Sequence, residues 1–86
     1  MKIVFQKSFE KQYKKLPKKT QELFNSRLTL LLNGQQNQFL NMHKLRGVYE
    51  GLWSINITGN IRAVFDTRHK NIIVFVAIGS HSELYS

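Results

Sequence analysis

Trp53-Ser54-Ile55-Asn56-Ile57-Thr58-Gly59-Asn60-Ile61-Arg62-Ala63-Val64-Phe65 is where the fold is first legible. Apolar and polar residues alternate on both sides of Thr58-Gly59-Asn60, the period of half-buried strands joined by turn residues. Two registers compete. A two-residue Gly59-Asn60 loop pairs Ile57 with Arg62 and sets apolar residues opposite polar ones. A three-residue Thr58-Gly59-Asn60 loop pairs Ile57 with Ile61, Ile55 with Ala63 and Trp53 with Phe65. Cross-strand partners share a face, so the second register keeps one face apolar throughout. It also puts Asn56 opposite Arg62 and Ser54 opposite Val64 on the other face.

Downstream, residues around Thr67–Lys70 are expected to turn the chain into an uninterrupted apolar run, Ile72 to Ile78. A run apolar on both faces and rich in β-branched residues predicts a central strand covered on both sides. That strand delivers the polar tail Gly79-Ser80-His81-Ser82-Glu83-Leu84-Tyr85 to one edge of the sheet. Upstream, Met1–Gln6 alternates weakly and predicts a short strand. Ser8 is the expected cap of a first helix, with Phe9, Tyr13 and Leu16 on its inner face. Pro17 breaks it. A second helix is expected from about Lys18, burying Leu23, Phe24, Leu28 and Leu31 and stopping at Asn33-Gly34. A loop rich in Gln and Asn then leads to His43-Lys44-Leu45-Arg46-Gly47. The predicted order is β-α-α-β-β-β. This is an α+β domain spanning residues 1–86, an antiparallel sheet with two N-terminal helices packed on one face.

The chain has 86 residues and a net charge of +8. The charge is unevenly spread. Residues 1–47 hold ten Lys and Arg against Glu10 and Glu22, whereas residues 48–86 hold three of each sign. A basic excess of this kind suits a polyanion, through phosphate contacts and counterion release. There is no cysteine, which excludes disulfides, a thiol nucleophile and cysteine zinc sites. No stretch approaches the roughly 20 apolar residues of a membrane span. The first residues lack signal-peptide anatomy, so the expected location is the cytoplasm, with no membrane partner.

Three histidines are present. His69 falls in the expected turn beside Arg68 and Lys70 and is read as an exposed turn residue. His43 and His81 lie in polar segments flanking one sheet and can exchange protons near neutral pH. They are the candidate catalytic pair. Their spacing offers no metal site, and no cofactor motif is present. Arg62 is the one charge inside the hairpin apart from Asp66 at its border. On the polar face it is a rigidly mounted guanidinium able to grip a phosphate. Lys44, Arg46 and Asn56 are candidate nucleic-acid contacts on the basic and polar segments beside them. Tyr85, past the last strand, can stack on a base. Trp53 and Phe65 share the apolar face and belong to the core. Ser80 and Ser82 are weak nucleophile candidates.

Taken in order, His43-Lys44-Leu45-Arg46-Gly47, Asn60-Ile61-Arg62-Ala63-Val64-Phe65 and the closing Gly-Ser-His-Ser-Glu-Leu-Tyr resemble the RelE/ParE superfamily of toxin–antitoxin toxins. The tail is most similar to the YafQ branch. The resemblance implies a ribonuclease that enters the ribosomal A site and cuts mRNA. It implies a cognate antitoxin that neutralises it, and operator DNA binding only as a complex with that antitoxin. By position, His43, His81 and Tyr85 match residues of the YafQ branch, and Arg62 matches the strand arginine of the RelE branch. The implied roles are Arg62 on the phosphorane, His81 and His43 as acid and base, Lys44 and Arg46 on the RNA backbone, and Tyr85 on a base. The chain departs from the YafQ branch near Asn56 and Asn60, and from the RelE branch near Ser54 and Asn56, where those branches carry ionisable groups. The fold also hosts ParE-type gyrase poisons, and a non-toxic nucleic-acid-binding module fits the charge as well.

Overall fold

The computed structural model describes residues 1–34 and 40–85. The strands are β1 (Lys2–Phe5), β2 (His43–Lys44), β3 (Trp53–Asn56), β4 (Ile61–His69) and β5 (Ile72–Ser80). The helices are α1 (Lys7–Lys14), α2 (Lys18–Leu32) and α3 (His81–Tyr85). The expected order stands, with a two-residue β2 and a five-residue α3 added. The Gln- and Asn-rich loop falls largely on residues 35–39, outside the described residues. The sheet runs β1-β5-β4-β3-β2. All its pairings are antiparallel except that of β1 with β5, which sets Lys2–Phe5 beside Ile72–Phe75 in parallel.

The hairpin adopts the three-residue loop. Trp53 pairs with Phe65, Ile55 with Ala63 and Asn56 with Arg62. The Ile57 amide donates to the Ile61 carbonyl at 2.8 Å. The Thr58 hydroxyl accepts from the amides of Asn60 and Ile61 at 3.1 and 2.9 Å, which locks the turn from within.

The next turn differs from expectation. β4 continues through His69, and the chain reverses at Lys70-Asn71, with Asn71 in the left-handed region at φ 60°. Asp66 explains the extension. Its carboxylate takes the Arg68 backbone amide at 2.9 Å and the guanidinium at 3.0 and 3.1 Å, so a polar stretch is tied down along the strand. His69 ends the strand instead of sitting in the turn, and remains largely exposed.

Two apolar clusters lie on opposite faces of the sheet. Phe9, Phe24, Leu40, Ile55, Ile57, Ala63, Phe65, Ile73, Phe75 and Ile78 fill the space under α1 and α2. Leu45, Leu52, Val64, Ala77 and Leu84 form a smaller cluster on the other side. The apolar run of β5 serves both. A register shift opposite Val64 and Phe65 leaves Val76 as an extra residue, so Val76 and Ala77 both join the smaller cluster and Ile78 returns to the larger.

The shift also decides how α1 begins. Ser8 was the expected cap, but the cap position is Gln6, whose amide still bonds the Phe75 carbonyl. Beyond that point β1 has ended and, among the described residues, β5 has a strand beside it only on the β4 side. α1 side chains continue the ladder in its place. The Ser8 hydroxyl donates to the Val76 carbonyl at 2.8 Å, and Gln12 Oε1 accepts from the Ile78 amide at 2.9 Å. Ser8 and Gln12 are one helical turn apart, which is why both reach one strand edge.

Candidate functional site

The face away from α1 and α2 carries the polar residues. Register sets His43 opposite Ser54, and Arg62 between Asn56 on β3 and Gly79 on β5. Strand periodicity therefore puts His43, Ser54, Asn56 and Arg62 on one face. Among the described residues no carboxylate lies within ion-pair distance of Arg62. Ser54 Oγ and Asn56 Oδ1 are buried and make no hydrogen bond among the described residues. Each such group costs about 1–3 kcal/mol. Together they form a polar floor between His43 and Arg62.

The tail is not an extended strand end. Ser80-His81-Ser82-Glu83 is a capping box that starts α3. The Glu83 amide donates to the Ser80 hydroxyl at 3.1 Å, and the Ser80 amide donates to Glu83 Oε1 at 2.8 Å. The Ser80 backbone amide, followed by its hydroxyl, holds the Glu83 carboxyl below the usual range, with Lys15 helping. Ser80, a nucleophile candidate from sequence, is thereby a cap. Leu84 docks the helix in the smaller apolar cluster. Gly79 leaves little room here: a Cβ on it would lie 3.1 Å from Glu83 Oε1 and 3.5 Å from Leu84, so the Glu83 carboxylate would have to shift by a few tenths of an ångström.

The helical turn brings His81 and Tyr85, four residues apart, into ring contact, with centroids 4.7 Å apart and planes tilted by 42°. Tyr49, from the turn Gly47–Tyr49, meets Tyr85 edge to face at 5.6 Å and 88°. Burial, then the neighbouring Tyr49, pushes the Tyr85 phenol up, and the Arg62 charge opposes them. The phenol is thus a neutral hydrogen-bonding group around pH 7, close to the guanidinium. Arg62, Tyr85, His81 and Tyr49 form one group at the end of β5. Tyr49 was missed in the sequence, since nothing in Gly47–Tyr49 marks it as different from any loop tyrosine. The capping box was readable as Ser-x-x-Glu.

His43 sits further along the same face. It is exposed, and its Nδ1 donates to the Asn41 carbonyl at 2.8 Å, leaving Nε2 as the acceptor. Lys44 is not with it. As the next strand residue it points to the opposite face, where its ammonium lies 5.8 Å from the Trp53 ring centroid. Arg46 is exposed and precedes the Gly47–Tyr49 turn. Among the described residues no three His, Cys, Asp or Glu side chains cluster to hold a metal. No helix there is long and apolar enough to cross a membrane.

Two helices over a sheet whose bare face ends in a short aromatic helix define a RelE/ParE-type toxin fold, and solved structures agree. YafQ from E. coli strain BL21(DE3) superimposes with a TM-score of 0.84 at 17% identity, over 98% of this chain and 97% of that one. The E. coli DinJ-YafQ complex gives 0.82 at 18%, over 98% and 97%. A YoeB/ParE toxin from Agrobacterium tumefaciens gives 0.70 at 23%, over 94% and 99%. At these identities the likeness is one of fold. The family follows from sequence: the model of the YafQ bacterial toxins of type II toxin–antitoxin systems matches residues 1–86, and the chain belongs to that family. Comparison with curated protein sequences finds no match.

Proposed function

We propose that this toxin is a metal-independent, ribosome-dependent mRNA endoribonuclease, held in check by a cognate antitoxin. The observation that carries the reading is the grouping of Arg62, His81 and Tyr85 on one face, with Arg62 free of any carboxylate in the described residues. In the proposed reaction the RNA 2′-hydroxyl loses its proton to a base and attacks the adjacent phosphorus. The P–O5′ bond breaks, and the leaving oxygen takes a proton from an acid. The products are a 2′,3′-cyclic phosphate and a 5′-hydroxyl. Arg62 stabilises the charge on the phosphorane. His81 is the acid and His43 the base, through the Nε2 that the Asn41 contact leaves as acceptor. Tyr85 supports a base by stacking, Asn56 contacts the nucleotide from the floor, and Arg46 takes the RNA backbone. Lys44, on the opposite face, serves backbone contacts outside the reacting nucleotide. The absence of ionisable groups at Ser54 and Asn56 favours a second reading, a toxin of this fold that binds without cutting.

The antitoxin belongs to the same proposal and is supported by the family and by the fold shared with the DinJ-YafQ complex. mRNA on the ribosome is the proposed substrate, and operator DNA is bound only with the antitoxin. The test is expression without a partner, with mapping of mRNA 5′ ends. New 5′-hydroxyl ends at defined codons are expected. His81→Ala should lower cleavage by ~10²–10⁴-fold, the usual contribution of a proton-transfer group. Parental cleavage by a folded His81→Ala variant sinks the assignment, and DNA-damage signalling without RNA ends supports the second reading.

A further inference from the structure

Tyr85, the ring assigned above to a base, ends α3 and is 36% exposed. Helix ends fray, so an aromatic side chain there can swing unless something outside the helix fixes it. Among the described residues the ring that reaches Tyr85 from outside α3 is Tyr49, at 5.6 Å and 88°. Tyr49 comes from a stiff turn. The Leu45 amide donates to the Leu52 carbonyl at 2.8 Å, and the amides of Glu50 and Leu52 donate to the carbonyls of Gly47 and Tyr49 at 3.0 Å each. Gly47 and Gly51 lie in the left-handed region, at φ 74° and 83°, which a reversal this tight requires. Leu45 and Leu52, at the two ends, are buried with Leu84 in the smaller apolar cluster, and Tyr49 packs against it. Arg68 closes the far side of the turn. Asp66 grips its guanidinium, and Nη1 would stand 3.3 Å from a Cβ placed on Gly51.

Perpendicular rings attract edge to face, so swinging either one gives up the contact. We propose that Tyr49 is a positioning residue for the cleavage reaction: it fixes the plane of the Tyr85 ring, so that a base stacked there keeps its 2′-hydroxyl and phosphate in line beside Arg62. The inference rests on the nuclease reading above and adds to it a residue that acts through Tyr85. Attack by the 2′-hydroxyl needs the attacking oxygen, the phosphorus and the leaving oxygen near one line. A base on a swinging ring loses that line, and about 1 Å of misplacement can cost ~10²-fold in rate. The competing account is packing alone. Tyr49 would then serve the small cluster, and its loss would act independently of Tyr85.

The test is single-turnover cleavage of a defined mRNA on purified ribosomes over a range of toxin concentrations, which separates the maximal rate from the half-saturating concentration. Tyr49→Leu keeps an apolar side chain against the small cluster and removes the aromatic edge. It should lower the maximal rate by ~10–10²-fold and leave the half-saturating concentration within about threefold. Weaker His81–Tyr85 ring-current shifts in the free variant should accompany the loss. Tyr49→Phe keeps the ring and should restore the rate. In a Tyr85→Ala background Tyr49→Leu should have no further effect, since the ring it acts on is gone. A parental maximal rate in Tyr49→Leu, or a loss that adds in full to that of Tyr85→Ala, overturns this inference alone. A rate as low in Tyr49→Phe as in Tyr49→Leu assigns the effect to the hydroxyl and overturns it as well. Absence of cleavage by the parent overturns the nuclease reading, and this inference with it.

Discussion

The face of the sheet under α1 and α2 holds three fully buried phenylalanines, Phe24, Phe65 and Phe75, with the Phe75 ring in contact with both of the others. The face under α3 holds a five-residue apolar cluster and, among the described residues, two unpartnered buried polar atoms and an arginine without a carboxylate. The first arrangement maximises apolar burial. The second gives up burial to keep polar groups at fixed positions on a rigid sheet. The charges divide differently again, since most of the basic excess lies on the helix layer, across the sheet from Arg62 and His81. Stability, chemistry and bulk electrostatics therefore occupy separable surfaces, and substitutions can test that separation.

The largest effect on stability is expected from the helix face. Phe75→Ala should cost about 3–5 kcal/mol, read from the midpoint of urea unfolding. Both faces should lose structure together, because β5 serves both clusters. Arg62→Ala should lower mRNA cleavage by ~10²–10³-fold, with an unfolding midpoint close to the parent, since no internal ion pair is lost. A large drop in stability instead would mean that the two faces are not separable. Ser80→Ala removes a helix cap and should cost about 1 kcal/mol, visible as faster exchange of the Glu83 amide.

The smallest effect is one of pH. The folded-state pKa of Glu83 is depressed, so the unfolded chain takes up a proton at higher pH than the folded one. The stabilisation is present above the unfolded pKa and is lost as pH falls through the folded one. Acid below the ordinary carboxylate range should therefore loosen α3, seen as weaker His81–Tyr85 ring-current shifts. Glu83→Gln should remove this dependence while leaving the sheet intact.

Much of the fold was legible because alternation over thirteen residues admits one register that keeps a face apolar. Arg62 was placed correctly by the same argument. What was not legible lacks a period. β2 is two exposed residues, its pairing fixed by bonds such as that from the Leu45 amide to the Leu52 carbonyl at 2.8 Å. The extension of β4 depends on Asp66 gripping Arg68, a short-range contact that looks like turn composition on paper. Ser8 fits a capping rule, and was taken instead by a carbonyl 68 residues away. The grouping of His81 with Tyr85 needed α3, since an extended tail would not stack residues four apart. Lys44 could have been set apart from His43 by strand alternation, had β2 been recognised.

α3 has five residues, well below the length at which a helix persists by itself in water. Its attachment is Leu84, the Tyr49–Tyr85 ring contact and one reciprocal pair of hydrogen bonds, whereas β4 and β5 are fixed along nine residues each. Elements of this kind open first and close fastest, at a fraction of the free energy that melts the whole protein. His81 and Tyr85 ride on that element, so on the roles proposed for them gentle warming or dilute denaturant should lower mRNA cleavage while the sheet still stands. The loss would be reversible on cooling, with the sheet as the template on which α3 re-forms.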